Sequence, residues 1–143
     1  MPEMPDTEHP KMNAWVRKLS ESVAIPDKEC YFIGHSLGCI TILRYLETIK
    51  EKVACVVLVA GFADDLGIQE VNSFFLKEID WNKIRANCQR FVAINSDNDP
   101  YVPLSHAEIF KENLKAEVII KHAGHFSASD GITVLPAVLN ALD

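Results

Sequence analysis

The sequence predicts an α/β domain, with a mostly parallel sheet and helices on both of its faces. Three observations carry that prediction. Short apolar or β-branched runs, at residues 30–33, 53–60, 90–95 and 117–121, alternate with longer stretches of helical periodicity. The run "VACVVLVA" at 53–60 is apolar without a break, as expected of a strand buried on both faces of a parallel sheet. The chain has 143 residues and fits one domain, residues 1–143, against a typical size of roughly 100–200.

Each element follows from local pattern. Residues 1–12 are rich in proline and acids and read as an irregular lead-in. From Asn13 to Val23, Trp15, Val16, Leu19 and Val23 recur at helical spacing, and Pro26 closes the helix. A buried strand at 30–33 is followed by a helix over 37–49, with Ile40, Leu43, Leu46 and Ile49 on one face. After the 53–60 strand comes a longer connection with one or two short helices, then the strand "RFVAIN" at 90–95. Ser105-His106-Ala107-Glu108 has the capping-box pattern and predicts a helix to about Leu114. A strand at 117–121 precedes a last helix near Pro136, carrying Val138, Leu139 and Leu142. Right-handed crossovers put helices on both faces, and active sites in such sheets sit at the strands' carboxyl ends.

Composition narrows the function classes. The formal net charge is −6, and no basic run or RNA-binding aromatic motif is present, which argues against a nucleic-acid surface. No apolar segment approaches the roughly 18 residues of a membrane span. The N-terminal stretch has acids and prolines where a signal peptide needs a basic start and an apolar core. The four cysteines form no CxxC pair, and a reducing compartment fits them better than a disulfide framework. A cytoplasmic protein is the expectation.

The chemistry centres on "GHSLG", Gly34 to Gly38. G-x-S-x-G alone is weak, but here it lies between a predicted strand and a predicted helix, the setting of a nucleophile elbow. The glycines are expected to relieve crowding around a strained turn that exposes the Ser36 hydroxyl. The Leu37 N–H, at the helix N-terminus, would face developing oxyanion charge. A serine needs a base, and the base an orienting acid, in the order Ser, Asp or Glu, His, each after a later strand. The 90–95 strand runs into "SDNDPYVP", offering Asp97 and Asp99; the 117–121 strand runs into "HAGHF", offering His122 and His125. Pro100 stiffens the loop at Asp99, whereas Asp97 also suits an Asx-turn. Gly124 lets His125 swing toward the serine, while His122 continues the strand. His35 reads as packing or a pocket wall, and His9 and His106 as surface residues. His122-x-x-His125 lacks the third ligand that a zinc site needs, so no metal is expected. No cofactor is implied either, since "GHSLG" lacks the lysine and the length of a phosphate loop.

"FIGHSLG", "LVAGFADDLG", "SDNDPYVPL" and "GHFSASDGI" together resemble the small serine-hydrolase family typified by YdeN and retinoblastoma-binding protein nine. The resemblance covers nearly the whole chain. It implies a three-layer α/β-hydrolase-like fold, a small flavodoxin-like variant without a large lid. It also implies Ser36 as nucleophile, Asp99 as acid and His125 as base. Members open with a strand and a His-Gly or Pro-Gly loop ahead of the segment matching "MPDTEHP", which here begins at Met4. The resemblance therefore implies that the opening strand is missing, together with the loop supplying a second oxyanion N–H. One such donor is worth about 10²–10³ in kcat. The strand at 30–34 is then an apolar sheet edge, expected to be covered by a second copy of the chain or by a partner.

The expected activity is hydrolysis of a small ester, or a related acyl compound, through an acyl-enzyme. His35, Phe62 and Phe126 are candidates for the acyl pocket, though the two phenylalanines suit the core equally well. The alternative expectation is a hydrolase fold kept as a protein-binding scaffold with its chemistry impaired.

Overall fold

A computed structural model describes residues 2–132 and 135–143, so Met1, Thr133 and Val134 of the predicted 1–143 domain lie outside the described residues. Its order is α1 (Met12–Val23), β1 (Tyr31–His35), α2 (Leu37–Leu46), β2 (Val53–Val59), a 3₁₀ turn (Gln69–Phe74), α3 (Trp81–Ala86), β3 (Cys88–Ser96), α4 (Ser105–Leu114), β4 (Glu117–Lys121), a second 3₁₀ turn (Ala128–Asp130) and α5 (Pro136–Ala141). The four strands pair in chain order, β1-β2-β3-β4, and every pairing is parallel.

That monotonic order fixes the layers. Right-handed crossovers always stepping the same way place their helices on one face. There Trp15, Leu19, Ile40, Leu43, Leu46, Ile84 and Phe110 pack with Phe32, Val56, Leu58 and Phe91 from the sheet. Cys55, Val57, Val59, Val92 and Ile94 point to the other face, where Phe126 and Ala141 cover them with Leu135 and Val138. That second layer stops short of β1. Phe32 and Gly34 are buried toward the α1–α4 face, while Tyr31 and Ile33, in register with Cys55 and Val57, remain 53% and 51% exposed. Among the described residues, β1 pairs with β2 alone and is a sheet edge.

Several boundaries differ from the sequence reading, each for a local reason. Helix α2 ends at Leu46 rather than Ile49, because the Asn87 amide takes the carbonyls of Leu46 (2.8 Å) and Ile49 (3.0 Å). Asn87→Ala should leave those buried acceptors unpaired and cost about 2 kcal/mol in chemical denaturation. Strand β3 starts at Cys88, two residues before the predicted start, since Cys88 is already in register with Val53. The capping box predicted at Ser105 does not form: Leu104 is the N-cap, Ser105 is the first helical residue, and no side chain caps the turn. Backbone bonds from His106 to Pro103 and from Ala107 to Leu104 close that turn instead.

His106 corrects a second expectation. It is 4% exposed rather than a surface residue, and its Nδ1 accepts the Ala63 N–H at 3.0 Å. That tautomer leaves the proton on Nε2, facing Asp64 Oδ1 at 3.8 Å. Burial pushes the His106 pKa below its ordinary 6.5, against the opposing pull of Asp64. Below pH 6.5 the unfolded chain therefore binds a proton that the folded chain resists, and stability decreases as the pH is lowered. The contribution is complete above about pH 6.5 and is lost as pH drops from there toward the folded value. Thermal melts between pH 8 and pH 5.5 should show a larger loss for the wild type than for His106→Gln, and equal losses would refute this reading.

Arg44 holds the long connection after β2. It is 2% exposed, yet its guanidinium donates to the carbonyls of Phe74 (3.0 Å), Lys77 and Glu78 (3.2 Å) and pairs with Glu47 (3.1 Å). Burying a charge is costly unless it is paired and hydrogen-bonded, and here three carbonyls and a carboxylate meet it.

Candidate active site

The site gathers at the carboxyl ends of β1, β3 and β4. Ser36 stands between β1 and α2 with φ 56° and ψ −120°, a conformation sparsely populated outside glycine. The surroundings determine that turn. The Ser36 N–H donates to the Val59 carbonyl at 2.9 Å, and the Ser36 carbonyl accepts from the Cys39 N–H at 3.0 Å. Gly34 lets α2 approach: a Cβ there would stand 2.9 Å from the backbone of Cys39. Gly38 differs from the sequence reading, for a Cβ there would meet nothing within 4 Å. Only the first glycine of the motif relieves crowding.

From Ser36 a hydrogen-bonded series runs through two later loops. Ser36 Oγ lies 2.9 Å from His125 Nε2, and His125 Nδ1 lies 2.8 Å from Asp99 Oδ2. The carboxylate can only accept, so Nδ1 carries a proton, and in the neutral ring Nε2 is free to accept from the serine. The Asp99 side chain is 1% exposed and that of His125 is 15% exposed. Asp99 Oδ1 in turn accepts the N–H groups of Tyr101 (2.8 Å) and Val102 (3.1 Å), which fixes the carboxylate's orientation. Hydroxyl, imidazole and carboxylate in series can move the serine proton onto the ring as the oxygen attacks an electrophile. Leu37 opens α2, and the N–H groups of a first helical turn have no intrahelical acceptor.

The other sequence candidates fall elsewhere. Asp97 pairs with His122 at 2.6 Å, both side chains well exposed, so the two histidines of His122-x-x-His125 each have their own aspartate. Among the described residues no three His, Cys, Asp or Glu side chains gather as a metal site needs. His35 Nε2 donates to the His125 carbonyl at 2.7 Å, and the two rings tilt together at 5.0 Å. Phe62 and Phe126 are both buried; Phe62 packs on Phe75, and Phe126 joins the core beneath α5. Cys39, one turn from Ser36, is fully buried and donates to the Val59 carbonyl; burial drives its pKa up and keeps it from competing as a thiolate.

Two neighbours of His125 escaped the sequence reading. Tyr101 packs edge-on against the imidazole at 5.2 Å, while itself 61% exposed. Asp130 accepts the His125 N–H at 2.9 Å. A signal for it was present: Ser127-Ala-Ser-Asp130 is an S-x-x-D pattern, and both capping-box bonds form in the 3₁₀ turn after His125.

Fold and site together define an α/β-hydrolase-like protein, and comparison with known proteins supports that class. A family model described as serine hydrolase matches residues 2–143, and the chain belongs to that family. It is 32% identical over 143 residues to the protein YdeN of Bacillus subtilis, covering 97% of this chain and 75% of that one. It is 29% identical over 130 residues to the serine hydrolase RBBP9 of Rattus norvegicus, covering 89% of this chain and 68% of that one. The solved structure of the B. subtilis ydeN gene product superposes with a TM-score of 0.93 at 31% identity, over 98% of this chain and 77% of the other. A carboxylesterase structure from Nitrososphaera gargenis shares the fold at 16% identity, with a TM-score of 0.70 over 98% of this chain and 73% of its own. No helix among the described residues is long and apolar enough to cross a membrane.

Proposed function

We propose that this serine hydrolase cleaves small esters or related acyl compounds through an acyl-enzyme, with Ser36 as nucleophile, His125 as general base and Asp99 as its orienting acid. The observation that carries the proposal is the continuous Asp99–His125–Ser36 series, 2.8 and 2.9 Å at its two links. As Ser36 Oγ attacks the acyl carbonyl, His125 Nε2 takes its proton and Asp99 holds the imidazolium. The Leu37 N–H receives the oxyanion, His125 returns the proton to the leaving group, and water then releases the acyl group by the same route. His35, whose ring lies 5.0 Å from that of His125, would line the acyl pocket together with Phe62 and Phe126. The substrate is a small molecule taken up without a cofactor.

A second reading, the fold as an interaction scaffold, has one observation in its favour. The β1 edge is free among the described residues and bears the exposed Tyr31 and Ile33, which suits a second copy or a partner strand. Labelling with a fluorophosphonate probe, read by intact mass with Ser36→Ala as control, separates the two. Stoichiometric labelling that the substitution abolishes is the expected result. A folded protein that stays unlabelled would favour the scaffold.

A further inference from the structure

The site poses a positioning problem. Ser36 follows β1 and His125 follows β4, the opposite edge of the sheet among the described residues, so three inter-strand spacings of about 4.8 Å separate their strands. The loop after β4 must therefore return across the sheet's carboxyl end and stop where the imidazole meets both Ser36 and Asp99. A free loop would not hold a ring to that accuracy.

Three successive N–H groups of this loop and one carbonyl are gripped by side chains. The Ala123 N–H donates to Ser96 Oγ (2.9 Å) and the Gly124 N–H to Asn98 Oδ1 (2.9 Å). The His125 N–H donates to Asp130 Oδ2 (2.9 Å), and its carbonyl accepts from His35 Nε2 (2.7 Å). Ser96 and Asn98 belong to β3 and the loop carrying Asp99, so their bonds tie acid loop to base loop. Asp130 and His35 act on His125 itself, from opposite sides of its Cα.

We infer that Asp130 and His35 are positioning residues for His125, gripping its peptide N–H and carbonyl so that the imidazole stands between Asp99 and Ser36. Two further features point the same way. Gly124 has φ 56°, and the Asp130 carboxylate fills the space where a Cβ at Gly124 would stand. Asp130 is also held in place, its Oδ2 accepting the Ser127 hydroxyl at 2.6 Å and the Ser127 N–H at 3.3 Å. The Ser127 hydroxyl is the main reason its carboxyl titrates below the usual range. In this role His35 acts on the base through its Nε2. The role rests on the hydrolase reading above.

The test is steady-state hydrolysis of a p-nitrophenyl ester of a short fatty acid, with fluorophosphonate labelling rates and thermal melts alongside. Asp130→Ala and His35→Ala should each lower kcat by about 10²-fold with KM within about twofold, because a misplaced base slows chemistry rather than binding. Asp130→Asn keeps an acceptor oxygen and His35→Gln keeps a donor at the same reach, so both should restore most of the rate. Gly124→Ala displaces the carboxylate and also strains a backbone held at φ 56°, so it should lower kcat at least as far as Asp130→Ala. Asp130 is exposed, so its variants should melt near the wild type; should one unfold, the His35 pair carries the comparison. A wild type that labels at Ser36 while the variants keep its kcat would overturn the positioning role alone. A folded wild type with neither turnover nor Ser36 labelling would overturn the hydrolase reading and the positioning role with it.

Discussion

Asp99→Asn should lower kcat by about 10⁴-fold while leaving the fold and the melting temperature nearly unchanged. The outcome turns on which way the new amide must face. In the wild type, Oδ1 accepts the N–H groups of Tyr101 and Val102, and Oδ2 accepts from His125 Nδ1. An asparagine at this position keeps its oxygen toward the two N–H donors, because turning the amide over would oppose N–H to N–H twice. Its NH₂ then faces His125 Nδ1, which must accept, and the ring proton moves to Nε2. There it points at Ser36 Oγ, 2.9 Å away, and the base is occupied before the reaction begins. Burial of the Asp99 side chain, 1% exposed, removes the water that would otherwise soften this choice. Ester turnover and the fluorophosphonate labelling rate should fall together, and a loss below about tenfold would show that His125 does not depend on Asp99 for its tautomer.

What the sequence disclosed is what local pattern encodes. The strand runs, the elbow between β1 and α2, and the two later loops were legible because each is written in neighbouring residues: "VACVVLVA", "GHSLG", "DNDP", "AGHF". The structure brings Ser36, Asp99 and His125 into one hydrogen-bonded series and leaves Asp97 and His122 as an exposed pair of their own. What stayed hidden depends on partners distant in sequence. The burial of His106 is set by the Ala63 N–H, 43 residues away, and the end of α2 by Asn87, 41 residues from Leu46. The His35 ring reaches the His125 carbonyl across 90 residues, which no periodicity can announce. Asp130 was different: its capping pattern was readable, but its bond to the His125 N–H became visible only when the loop closed.

The glycines of "GHSLG" should behave oppositely when each is replaced by alanine. At Gly34 the added Cβ would stand 2.9 Å from the Cys39 N and Cα and 2.9 Å from Ile42 Cδ1. The isoleucine tip can turn aside, but the Cys39 backbone belongs to α2, and α2 is wedged between the sheet and α1 with Ile40, Leu43 and Leu46 fully buried. Relief requires the whole helix to move, so Gly34→Ala should cost about 3 kcal/mol, the upper end of ordinary overpacking. Because Ser36 joins that helix to β1, the same shift should pull its hydroxyl off His125 and slow labelling in whatever fraction remains folded. At Gly38 the Cβ meets nothing, and the residue lies in the first turn of α2. Gly38→Ala should therefore fold normally and gain up to about 1 kcal/mol from helix propensity. Urea denaturation of the two variants beside the wild type gives both signs in one experiment. Equal destabilisation would mean that the motif's glycines serve the turn's backbone alone. A loss confined to Gly34→Ala would show that the first glycine is there to let a helix lie against a strand.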